Sequence, residues 1–173
     1  YYALRSGKPV VPVFIFDTNI LGELEDKADR RVEFIHLALQ EIQQELIKYG
    51  STLDVRYGEP LAIYKELASE YTIEAVYTNH DYEPYATKRD AAIEQLLTLK
   101  GISFNTFKDQ VILEKGEVLK DDGKPYTVFT PYSRRWKTTL TPFHLTSYPI
   151  EKYFSHFFKQ ATRQIVSLEK MGF

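Results

Sequence analysis

Apolar positions along the chain fall into short continuous runs that alternate with stripes spaced three and four residues apart. Val10, Val11, Val13, Phe14, Ile15 and Phe16 form the first run, which stops at Asp17. A run without polar alternation suits a strand buried on both faces, as inside a parallel sheet. The charged stretch from Gly22 to Arg30 reads as a loop. Val32, Ile35, Leu39, Ile42 and Leu46 then predict one buried stripe of a long helix, which Tyr49-Gly50 ends.

The unit repeats. Thr52–Tyr57 predicts a second strand, and Gly58-Glu59-Pro60 turns it into a helix with proline in its first turn. Leu61, Tyr64, Leu67 and Tyr71 give that helix its apolar face. Glu74–Asn79 predicts the third strand. Thr87 and Asp90 have the spacing of a capping box and place the next helix at Thr87–Lys100, with Gly101 as its stop. Ile102–Lys108 predicts the last strand. Strands alternating with amphipathic helices imply an α/β fold with right-handed crossovers and a mostly parallel sheet.

After Asp109 the pattern changes. Val111–Pro125 reads as a hairpin or looped excursion, and Thr130-Pro131 introduces a short helix carrying Arg134, Arg135 and Trp136. Pro142 and Pro149 interrupt the C-terminal part, leaving a helical stretch around Glu151–Ile165. At the other end, Tyr1–Gly7 reads as the last turns of a helix that begins upstream, with a first strand upstream of that.

Composition narrows the options. The 173 residues are 43% apolar, enough for one domain plus a tail. No apolar run approaches the roughly 20 residues that span a bilayer, so no membrane partner is expected. Absent cysteine excludes disulfides and thiolate chemistry, and four scattered histidines form no paired metal motif. A net charge of −2 argues against this segment gripping a phosphate backbone.

Open α/β sheets bind ligands beyond the carboxyl ends of their strands, which singles out Asp81 and Glu83. Two carboxylates one residue apart could accept from a ring N–H or a ribose hydroxyl, or hold a hydrated Mg²⁺. They could equally line a solvated loop with an Asx-turn. Asp17-Thr18-Asn19 either faces the same crevice or simply turns the chain. His80 is more simply an exposed histidine than a proton carrier. Arg30 and Arg31 oppose the dipole of the helix they open, and a solvated pairing with Asp26 and Asp29 accounts for them. The aromatic, cationic run Gly123–Trp136 could stack on nucleic acid. In an acidic chain it is better read as an arm that packs Tyr126, Phe129, Tyr132 and Trp136 against the sheet edge.

VYTNHDYEPYATKRD, from Val76 to Asp90, together with GKPYTVFTPYSRRW and the closing SLEKMGF, resembles the N-terminal α/β domain of the DNA photolyase/cryptochrome family. The likeness covers nearly the whole chain. It implies a Rossmann-like, three-layer α/β/α domain around a mostly parallel five-stranded sheet, the first strand and an F-x-R-x-D-L-R segment lying before Tyr1. It also implies an antenna-chromophore domain over 1–135, with 136–173 linking to a C-terminal helical domain that binds FAD and pyrimidine-dimer DNA. The parent protein would then be a cytoplasmic deoxyribodipyrimidine photo-lyase, a carbon–carbon lyase in DNA repair, with no catalytic residue in this chain. A cryptochrome photoreceptor without repair activity, or an unrelated nucleotide-binding α/β domain, is the alternative. In deazaflavin-binding relatives the chromophore contacts match Phe14, Arg31, Asp81, Glu83, Ala86 and Arg89. Folate-binding relatives carry an Asn–Glu pair where this chain has Tyr85 and Ala86, so a flavin or deazaflavin is expected rather than folate.

Overall fold

The computed structural model describes residues 1–173. Its regular elements, in chain order, are α1 (Tyr2–Arg5), β1 (Val13–Asp17), α2 (Thr18–Leu21), α3 (Arg30–Lys48) and β2 (Asp54–Gly58). α4 (Pro60–Glu70), β3 (Ala75–Asn79), α5 (Pro84–Leu99) and β4 (Ser103–Phe107) complete the alternation. α6 (Phe129–Thr139), α7 (Leu168–Met171) and three 3₁₀ turns make up the rest. The α/β alternation is present, and every ladder is parallel: β1 pairs β2 from Val13–Asp54 to Asp17–Gly58, and β3 pairs β4 from Ala75–Ser103 to Asn79–Phe107.

Of the five-stranded sheet expected, with its first strand before Tyr1, the chain itself forms four strands. They lie in two separate pairs, because nothing bonds to the second edge of β1 or of β3. Those two edges face each other across a groove of about 750 Å³, lined from β1's side by Val10, Val11 and Val13 and from β3's by Ala75, Val76 and Tyr77. β1 and β3 run the same way. Lys8, ahead of β1, pairs with Glu74, ahead of β3, at 2.9 Å, and Asp17 at β1's end bonds to Tyr85 beyond β3's.

Strand alternation shows where the helices lie. Leu53 and Val55 of the β2 segment join Phe16 and α3's Val32, Leu39 and Leu46 in the larger core. Asp54 and Arg56, pointing the other way, meet Glu70 of α4. Helices therefore cover both faces of the β1–β2 pair. The second core, Ile93, Leu97 and Ile102, lies between α5, the start of β4 and α4's Leu61 and Tyr64.

Three local readings also change. α3's buried face is Val32, His36, Leu39, Gln43 and Leu46, leaving Ile35 and Ile42 exposed. The C-terminal segment explains this: His36 Nε2 bonds to the Val166 carbonyl at 2.8 Å, and Gln43 Nε2 donates to that of Arg163 at 2.7 Å. Gln43 Oε1 also accepts the Leu53 N–H, so both polar side chains are satisfied inside. α5 starts at Pro84 rather than Thr87, with Glu83 as N-cap and proline in the first turn. Finally, α6 buries nothing and Phe129 is 77% exposed, so the Gly123–Trp136 arm does not pack as expected.

The helical stretch expected at Glu151–Ile165 shrinks to a 3₁₀ turn at Glu151–His156. Beyond it the chain runs extended beneath the first strand pair, bridging Val10 to Phe157 and bonding Arg163 N–H to Thr52 Oγ1 at 3.0 Å. No helix is long and apolar enough to cross a membrane.

Candidate functional site

In the β1–β2 pair the chain steps away from the central groove, and in the β3–β4 pair it steps away in the opposite direction. That reversal is the topological switch point of an open α/β sheet, where ligands lodge beyond the strand ends. Two segments meet there, Asp17–Asn19 after β1 and His80–Asp90 after β3. Asp17 is buried, caps α2 by accepting the Asn19 N–H at 2.8 Å, and takes the Tyr85 hydroxyl at 2.5 Å on its other oxygen. Asn19 Nδ2 donates to the same hydroxyl at 3.0 Å. Burial, then donation to Asp17, pushes the Tyr85 phenol above its ordinary value. Tyr85 thus straps the first turn of α5 to the end of β1.

Of the six residues singled out from sequence, Asp81, Glu83, Ala86 and Arg89 lie on this strapped segment. Asp81 Oδ1 accepts the Glu83 N–H at 3.1 Å, the Asx-turn that was one of the sequence alternatives. Its other oxygen has no protein partner. Nor does the Glu83 carboxylate, which occupies the N-cap position without capping. Ala86 is buried. Arg89 is half-buried, donates from Nε to Asp90 at 2.8 Å, and lies 5.8 Å from the Tyr85 ring centre. Burial works against its charge, but Asp90, with Asp17 behind it, keeps the guanidinium above its ordinary value.

Phe14 and Arg31 are engaged elsewhere. Phe14 packs on Phe16 at 5.0 Å between ring centres, toward the α3 side. Arg31 grips Asp29 through Nε and Nη2, its side chain 76% exposed, and the contact draws the Asp29 carboxyl down to about 2. The central groove is not lined by any of the six residues, and no cluster of three or more acidic or histidine side chains is arranged to hold a metal.

A neighbouring arrangement escaped the sequence reading. His80 Nδ1 meets Glu114 Oε2 at 3.0 Å, His80 Nε2 meets Thr106 Oγ1 at 2.9 Å, and the Tyr82 hydroxyl donates to Glu114. Glu117 accepts the Glu114 N–H and the Lys108 ammonium. Together these clasp the excursion after β4 onto the carboxyl edge. Only the 34-residue separation of His80 and Glu114 hid it, since no local pattern couples such positions. Tyr82, then His80, draws Glu114 below the usual carboxylate range, and Tyr82 is itself pushed up to about 12 by Glu114.

A carboxyl whose folded value is depressed stabilises the fold above its unfolded value, about 4.3, and loses that contribution as pH falls. Acidification from pH 7 to 3 should therefore free the amides of residues 110–118, read as loss of hydrogen-exchange protection relative to the intrinsic rate. Glu114→Gln should free them already at pH 7. Retained protection in both would contradict the clasp.

The family model that matches the chain is that of DNA photolyase, over residues 1–151. A curated relative, the deoxyribodipyrimidine photo-lyase of Halobacterium salinarum, is 36% identical over 75% of this chain and 26% of its own length. The chain thus spans about a quarter of that relative. Among solved structures, a bacterial class III photolyase from Agrobacterium tumefaciens superposes over 98% of this chain and 34% of its own, with TM-score 0.72 at 23% identity, a likeness of fold. An archaeal photolyase from Sulfolobus tokodaii, described with two FAD molecules and as implying a novel light-harvesting cofactor, matches over 65% of this chain and 26% of its own, with TM-score 0.58 and 31% identity.

Proposed function

This chain belongs to the DNA photolyase family, and we propose that it is the light-harvesting unit of a deoxyribodipyrimidine photolyase-type flavoprotein. In this reading residues 1–135 hold an auxiliary pigment at the switch point. Residues 136–173 lead toward a helical domain that binds FAD and pyrimidine-dimer DNA. FAD, bound there, supplies the light-driven electron transfer that splits the dimer. The residues of this chain orient a pigment and perform none of the bond breaking.

The observation that carries the proposal is that one carboxylate oxygen of Asp81 and both of Glu83 are without a protein partner, in the turn between β3 and α5 at the carboxyl edge. Carboxylates are acceptor-only when ionised, so they suit the ring N–H groups of a flat heterocycle. Buried Ala86 keeps the helix surface low on that segment, and Arg89, paired with Asp90, supplies a cation on the same helix; Phe14 and Arg31, engaged with Phe16 and Asp29, carry no part of this reading. A flavin or deazaflavin fits this polarity, and the description of the Sulfolobus tokodaii photolyase favours a flavin-type pigment. The net charge of −2 leaves the DNA grip to another part of the protein.

Titrating the chain with FMN, a deazaflavin and ATP, and following absorption and fluorescence, tests the reading. A response to FMN or the deazaflavin, with none to ATP, is expected. A response to ATP alone would contradict it.

A further inference from the structure

α3 carries an apolar seam that no other part of the chain covers. Ile35 and Ile42, two of the five residues whose spacing predicted its buried stripe, are 38% and 47% exposed, and Phe34 beside them is 73% exposed. Half-buried Ala38 lies between the two isoleucines on the same side of the helix. Arg31, Ile35, Ala38, Ile42 and Glu45 follow one another at steps of four, three, four and three residues. That is the seam spacing of a helix that pairs with another helix. The other side of α3, through His36 and Gln43, is already closed by the C-terminal segment.

The two ends of the seam decide what fits it. Arg31 stands at the amino end, its side chain 76% exposed. It grips Asp29 through Nε and Nη2, which leaves Nη1 unbonded. Glu45 stands at the carboxyl end, 63% exposed, with one oxygen on Lys48 and the other without a partner. An identical helix laid antiparallel brings each end against its opposite charge, whereas a parallel copy meets like with like. At the midpoint Ala38 has the smallest side chain of the five, and small side chains at a contact let two helix axes approach closely.

We propose that this seam is the contact surface of a two-fold dimer, its occupant a second copy of this chain with α3 antiparallel. A two-fold axis at Ala38 sets Arg31 against Glu45 of the second copy, Phe34 against Ile42, and Ile35 against the stem of Glu41, each contact made twice. The apolar side chains supply the affinity, and the Arg31–Glu45 pairs fix direction and register. A 19-residue helix offers a face about 28 Å long. That is the small end of specific interfaces, so the dimer forms reversibly with concentration. α3 starts on the carboxyl-edge side, because it follows the end of β1. Antiparallel pairing therefore sends the two crevices to opposite ends and leaves both open, and it requires no pigment in either.

The 173-residue chain contains no cysteine, so one introduced thiol reports the geometry. Under mild oxidation Ala38→Cys should give a disulfide dimer, because the axis brings the two copies of that position together. Glu45→Cys, which faces Arg31 instead, should cross-link about ten-fold more slowly, its two copies lying beyond the roughly 7 Å between Cα atoms that a disulfide spans. Sedimentation of the unmodified chain should show a monomer–dimer equilibrium, and Ile42→Glu should weaken it by about a hundred-fold. Arg31→Glu and Glu45→Arg should each weaken it by about ten-fold, and the two exchanges together should restore it. Each exchange puts a charge where the helix dipole favours it, so the fold survives. Selective cross-linking at position 38 and rescue by the double exchange support the dimer. A monomer at every concentration, as when another protein or a further length of chain covers α3, overturns it. Equal cross-linking at both positions, or a double exchange no tighter than the single ones, overturns it too.

Discussion

Asp54→Ala should destabilise the chain by about 3–5 kcal/mol, the range for removing one partner of a buried ion pair. Asp54 is 1% exposed and is the focus of four contacts. Arg56 donates to it from Nε at 2.6 Å and Nη2 at 2.9 Å, Tyr71 donates its hydroxyl at 3.1 Å, and Arg163 Nη1 lies 3.4 Å away. Asp54, and after it Glu70, raises Arg56 above its ordinary value. Without the Asp54 carboxylate, Arg56 keeps the more exposed Glu70, at 2.6 Å, and Glu66, at 3.8 Å, while the Tyr71 hydroxyl keeps Gln160. Arg163 brings the C-terminal segment into the same network, so the loss is felt on β2, α4 and that segment together. Asp54→Asn preserves the shape and should cost less. Urea unfolding of the three proteins measures the order, and an alanine variant within about 0.5 kcal/mol of the parent would show that the network contributes nothing.

The C-terminal segment also explains where local sequence patterns stop being informative. Two adjacent stripes on α3, one through Ile35 and Ile42 and one through His36 and Gln43, fit helical periodicity equally well. Hydrophobicity favours the first, but the carbonyls of Arg163 and Val166 make the second the buried one. Those carbonyls lie more than a hundred residues away, so nothing near α3 announces them. The start of α5 was legible and was missed. Pro84 obeys the first-turn rule that correctly placed Pro60, whereas the Thr87–Asp90 spacing drew the boundary too late; in the structure Thr87 Oγ1 bonds back to the Glu83 carbonyl.

β1 was plain from its uninterrupted apolar run. That same run implied pairing on both sides, which the two-stranded arrangement does not supply. The carboxyl-edge location of Asp81 and Glu83 could be read because a strand, a polar turn and a helix succeed one another in sequence. The Tyr85 strap to Asp17 could not, since it joins segments 68 residues apart.

Replacing both Asp81 and Glu83 by alanine should abolish pigment occupancy. Each charge-assisted hydrogen bond lost costs about 1.5–3 kcal/mol, so the pair together weakens binding by about a hundred-fold or more. The fold should tolerate the change, because Glu83 caps nothing with its side chain and Asp81 makes a single backbone contact. Glu83 alone and Asp81 alone should each give an intermediate loss. The decisive measurement is the near-ultraviolet and blue absorption spectrum of the purified full-length protein, parent against double variant. The pigment band should vanish from the variant while the FAD band and repair under direct FAD excitation persist; a pigment band of unchanged position and intensity would contradict the assignment of this crevice.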